Sequence, residues 1–102
     1  MNNFDLNMAI AQALGIYSGF DHASISEEGV KLINNDTADY CNNWDDLMSE
    51  IEKINVDHEM TESASGWRAI LSYSDKGWES TAKSQKRAYA ECLYKVLESK
   101  ND

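Results

Sequence analysis

The side chains in this 102-residue chain that could do chemistry are two adjacent carboxylate pairs, Asp45/Asp46 and Glu27/Glu28, two histidines, His22 and His58, and two cysteines, Cys41 and Cys92. A general acid and base must converge on one reacting atom, but neighbouring residues on a helix point in different directions. Asp45 and Asp46 are accounted for as charges at a helix start, where they complement exposed amide groups. His22 and His58 stand 36 positions apart with no second His or Cys close by, whereas tetrahedral metal sites draw their ligands from closely spaced pairs. Neither cysteine has a base placed beside it by spacing, and the five glycines are scattered singly rather than gathered into a phosphate cradle. The expectation is no catalysis, no cofactor and no bound metal. Cys92 falls on an apolar helix face, so both thiols are expected free and buried in a reducing compartment.

Charge is the distinctive property. Eighteen acidic residues against nine basic give −9, and the split is uneven: residues 1–62 carry thirteen Asp/Glu and two Lys, while residues 63–102 carry five Asp/Glu and seven Lys/Arg. The two parts therefore hold −11 and +2. An excess of this sign argues against a dedicated binder of nucleic-acid phosphates. No apolar run reaches the length of about 18 residues needed to cross a bilayer, and the start MNNFDLN has no basic region followed by a hydrophobic segment, so the expected location is the cytoplasm of a host cell.

The elements that must position these residues follow from periodicity. Ser84 caps a closing helix to Lys100, in which Ala88, Cys92 and Val96, flanked by Tyr89, Leu93 and Leu97, make one apolar face. Before it, Trp67–Ser74 and Trp78–Ala82 alternate around Asp75-Lys76-Gly77 as a hairpin, and Val56–Glu62 alternates as a further strand, with Val56, His58 and Met60 opposite Asp57, Glu59 and Thr61. Trp67, Trp78 and Tyr73 read as packing residues. Asp5 is placed to cap a first helix that Gly15 ends, and Ile16–Phe20 reads as a brief extended passage or a wall of the core. Asp21–Asp39 reads as a structured loop with a short strand or helical turn; loops of that length are often functional. Asn42 or Asn43 caps a second helix, WDDLMSEIEKIN, with Trp44, Leu47, Met48, Ile51 and Ile54 as its buried stripe. The fold expected is a single α+β domain over 1–102, a three-stranded antiparallel sheet packed with helices, in the order helix, irregular segment, helix, three strands, helix.

The segments LNMAIAQALG, YCNNWDDLMSEIEKI, GWRAILSYS, WESTA and KSQKRAYAECLYKVLE occur in an order that resembles the small phage and prophage family with the phage ABA sandwich domain. The resemblance spans nearly the whole chain and departs at Asp21–Asp39. It implies a viral or integrated viral origin and a helix, sheet, helix layering, and it brings no catalytic residue with it.

The resulting functional expectation is a small acidic phage accessory protein that binds a host or phage protein. Glu27, Glu28, Glu50, Glu52, Asp57, Glu59 and Glu62 are the candidate contact residues, because a dense negative surface attracts a basic groove. An inhibitor of a host defence nuclease, of the anti-CRISPR or anti-restriction kind, fits this charge. The alternatives are a phage structural or assembly factor without inhibitory activity, and a small hydrolase using its acidic residues; self-assembly or virion association marks the first, and carboxylate-dependent turnover the second.

Overall fold

The computed structural model describes residues 1–19, 29–34 and 36–100, so His22, Glu27 and Glu28 lie outside the described residues. Three helices, α1 (Asn3–Ala13), α2 (Trp44–Lys53) and α3 (Gln85–Lys100), accompany five strands, β1 (Val30–Lys31), β2 (Thr37–Ala38), β3 (Asp57–Ser63), β4 (Gly66–Tyr73) and β5 (Lys76–Ala82). The expected α+β class and element order hold. β3, β4 and β5 form an antiparallel sheet in that order, while β1 and β2 form a separate two-stranded ladder.

Two tight turns create the sheet. Ser63 pairs with Gly66 across Ala64-Ser65, and Tyr73 pairs with Lys76 across Ser74-Asp75. Ser74 takes the left-handed conformation at φ 57°, which suits a two-residue hairpin to the twist of its strands. At Gly66, with φ 149°, an added Cβ would sit 2.3 Å from the Ala82 carbonyl oxygen, so this position has no room for any side chain. Alternation then assigns the faces. Trp67, Ala69 and Leu71 share one face of the sheet with their cross-strand partners Met60, His58, Trp78, Ser80 and Ala82.

That face is covered by α3, which Ser84 caps by accepting the Arg87 N–H on its Oγ at 3.0 Å. Ala88, Tyr89, Cys92, Leu93, Val96 and Leu97 are all buried along it. Cys92 donates its S–H to the Trp78 carbonyl at 3.1 Å, which fixes α3 against β5. On its other side α3 packs on α1, whose Leu6, Ile10 and Ala11 are buried, so the stacking runs sheet, α3, α1. α2 adds Leu47 and Ile51 to the same core. Cys41 and Cys92 are both buried free thiols. Among the described residues no helix is long and apolar enough to cross a membrane.

The first helix begins earlier than its sequence indicates. Asn2 rather than Asp5 is the cap, accepting the Asp5 N–H on Oδ1 at 2.7 Å, and Gly15 ends the helix at φ 73° as expected. The passage after it is extended: Tyr17 bridges Leu32, and the Ile33 N–H donates to the Ile16 carbonyl at 2.9 Å. Tyr73 departs from its expected packing role and is 53 % exposed, because it closes β4 at the sheet's end. Trp44, expected in the buried stripe of α2, sits at its rim.

Candidate protein-binding site

The acidic residues are organised by the segment between β2 and α2. Asp39 accepts the Asn7 side-chain amide at 2.9 Å and the Asn42 backbone N–H at 3.2 Å, while its own N–H donates to Asp46 Oδ2 at 3.0 Å. Asn7, fully buried in α1, also accepts the Cys41 N–H at 3.2 Å. Asn43 caps α2 by accepting the N–H groups of Asp45 and Asp46 at 2.9 and 3.2 Å. This clasp ties α1, the loop and the start of α2 together. Between its members, Tyr40 is driven into the core and is 2 % exposed.

The clasp leaves an open cleft of about 300 Å³ between β2 and α2, lined by Asp36, Thr37, Tyr40, Asp45, Asp46, Ser49 and Glu50 among others. Burial first, then the charges of Glu50 and Asp46, push the Tyr40 hydroxyl well above the usual phenol range. Both carboxylates and Tyr40 line the cleft. Lys53 bonds Glu50 at 3.1 Å. Asp45 and Asp46, expected to diverge, do serve the helix start, yet they also border this common space with Asp36 and Glu50. The cleft's chemistry is electrostatic: it offers carboxylates to an ammonium or guanidinium group. No cluster of three or more His, Cys, Asp or Glu able to hold a metal ion occurs among the described residues.

The remaining expected contact residues are spread over other surfaces. Glu52 is exposed on the last turn of α2, and Asp57 and Glu59 are exposed on the face of β3 turned away from α3. Glu62 belongs to the opposite face, in register with Trp67. Beside Glu59 on the outer face, Arg68 and Glu79 form an exposed ion pair between β4 and β5. The candidate set therefore divides into a cleft group containing Glu50, a β3 group of Asp57 and Glu59, and two separate residues. Asp36, Asp45 and Asp46 join the cleft group although they were not in the expected set; the Asn43 cap marked Asp45 and Asp46, while nothing local marked Asp36.

His58 is exposed, and its ring stands edge-on to Tyr89, with Nδ1 3.3 Å from the phenol oxygen. Tyr89 also meets Trp44 edge-on, and the Lys86 ammonium lies 5.7 Å from the Trp44 ring centroid. A second cleft, of about 420 Å³, opens there between Trp44, Trp67, Lys83 and Lys86. Basic residues thus mark the start of α3, and acidic ones the flank of α2.

No protein-family model matches the chain, and no curated protein matches it. The fold is similar to that in the 2.0 Å crystal structure of a phage protein from Bacillus cereus ATCC 14579, with a TM-score of 0.66 over 96 % of this chain and 89 % of that one, at 14 % sequence identity.

Proposed function

We propose that this chain is a small phage or prophage accessory protein that binds a basic surface of a host or phage protein. By filling a groove otherwise open to nucleic acid, it blocks a nucleic-acid-processing complex such as a host defence nuclease. It does so in the host cytoplasm and without catalysis of its own. The observation that carries this reading is the cleft in which Asp36, Asp45, Asp46 and Glu50 surround Tyr40, with Lys53 at Glu50 as the bonded cation. A concentration of like charge around low-dielectric walls speeds encounter with an oppositely charged partner and disfavours like-charged ones. The fold similarity to a phage protein and the resemblance to the phage ABA sandwich family support the origin.

The test is purification of tagged protein from phage-infected or lysogenic cells, beside a variant carrying Asp45→Lys, Asp46→Lys and Glu50→Lys, followed by association rates for the partner recovered. Association should slow steeply between tens and several hundred millimolar salt while dissociation changes less. A partner held equally well by the triple variant would refute the cleft as the contact.

A further inference from the structure

The two edges of the three-stranded sheet are not equivalent. In a two-residue hairpin the residues flanking the turn exchange their backbone hydrogen bonds, and the exchange recurs at every second pair. Counting from Ser63 and Gly66, residues Thr61, Glu59 and Asp57 direct their N–H and C=O groups at β4, so His58, Met60 and Glu62 direct theirs outward. Counting from Tyr73 and Lys76, the outward residues of β5 are Gly77, Glu79 and Thr81. The Glu79 carbonyl indeed accepts the Lys95 ammonium of α3 at 2.7 Å, so the middle of the β5 edge is occupied by a side chain of the same molecule. Among the described residues no side chain bonds the outward backbone groups of His58, Met60 or Glu62, and β3 pairs with β4 alone.

An open edge is a template for a further strand, and proteins protect such edges with charged side chains, proline or bulges. β3 has neither proline nor bulge, and its charges, Asp57, Glu59 and Glu62, are all of one sign and preceded by the exposed Glu52 of α2, so they repel an acidic or like strand and leave the edge open to a basic one. We infer that the β3 edge is a docking site for an extended, lysine- or arginine-rich segment of a partner protein, which adds as a fourth antiparallel or parallel strand. Backbone bonds to His58, Met60 and Glu62 hold it, and Asp57, Glu59 and Glu62 select its charge. A second copy of this chain is disfavoured, since it would bring three negative charges of one β3 against three of the other. The inference rests on the reading of the chain as a binder of basic partners, and adds a site distinct from the cleft.

The probe is a capped seven-residue peptide alternating Lys with Thr or Val, added to the full chain. Beside it go the same peptide with Glu for Lys, and two versions N-methylated on alternate residues, which remove the outgoing N–H groups of one side or the other without changing charge. Amide exchange at His58, Met60 and Glu62 should slow at least tenfold with the Lys peptide, while Gly77, Glu79 and Thr81 stay unchanged. One N-methylated version should lose binding at least tenfold and the other keep it. Unchanged exchange at the three β3 amides, or equal binding by both N-methylated versions, overturns the edge site. If the Lys peptide instead perturbs Asp36, Asp45, Asp46 and Glu50, the basic-partner reading stands and the edge site fails. Equal binding of the Glu peptide overturns both. Protection that grows with protein concentration in the absence of peptide assigns the edge to a second copy and overturns the proposal.

Discussion

Replacing Asn7 with alanine tests the clasp that shapes the cleft. Asn7 is fully buried, donates to Asp39 Oδ1 at 2.9 Å and accepts the Cys41 N–H at 3.2 Å. The first bond involves a carboxylate, for which about 1.5–3 kcal/mol is typical, and the second is a neutral bond of about 1 kcal/mol. Truncation also leaves the Cys41 amide without this acceptor, which adds roughly 1–3 kcal/mol where water cannot replace it. The sum is about 3.5–7 kcal/mol, a large share of the roughly 5–15 kcal/mol that holds a domain of this size together. At about 4–8 °C per kcal/mol, the melting temperature should fall by at least about 14 °C. Urea unfolding followed by tryptophan fluorescence measures the loss. The Asn7→Asp variant separates hydrogen bonding from volume: it keeps the size and the acceptor but faces Asp39 with a like charge, so its stability should be low at pH 7 and recover as the pH falls through the carboxylate range and one of the pair protonates. If Asn7→Ala unfolds within about 1 kcal/mol of the parent, or Asn7→Asp shows no such recovery, the clasp is not what holds the loop to α1.

Other outcomes follow from single contacts. Burial lifts the Cys92 thiol from 9.0 to about 11. The folded chain therefore keeps a proton that the unfolded chain releases, so this contribution to stability is complete below about pH 9 and declines as the pH rises toward 11; the buried Tyr40 acts in the same direction, and urea midpoints at several alkaline pH values measure both. Native Cys92 should resist iodoacetamide at pH 8 and react once the chain is unfolded, which mass spectrometry of the labelled peptides reads directly. Gly66→Ala should cost more than about 2 kcal/mol, because the new methyl meets the Ala82 carbonyl and the backbone is strained; thermal melting checks it. Arg68→Ala, by contrast, removes an exposed ion pair and should shift stability by less than about 1 kcal/mol.

Local rules made much of the fold legible. The Ser84 cap and the apolar period of α3, the Asn43 cap of α2, the left-handed Gly15 and the alternation through β4 and β5 are each written within a few residues of where they act. What sequence left open depends on distance or extent. Asn2 and Asp5 are both capable caps, and nothing local shows that the helix takes the earlier one. Alternation correctly puts Tyr73 on the α3 side of the sheet, but it does not say where the helix's cover ends. Asn7 sits in an apolar stripe as an apparent defect, and its partner is 32 positions away. For the site, helix periodicity sets Asp46 and Glu50 one turn apart on the polar side of α2; only the return of Asp36 and Tyr40 beside them makes a cleft, and that proximity is tertiary.

The position of α3 between the sheet and α1 constrains the order in which the chain can fold. The two hairpins close over a few residues and can form early, whereas Asn3 meets Arg87 across 84 positions and α1 has its main packing surface on α3. During synthesis, then, α1 must wait until α3 has left the ribosome, and the later-made helix is the one that lets the earlier become native. A chain interrupted before Ser84 would display two apolar surfaces with no common wall between them, a ready substrate for chaperones and proteases rather than a smaller working protein.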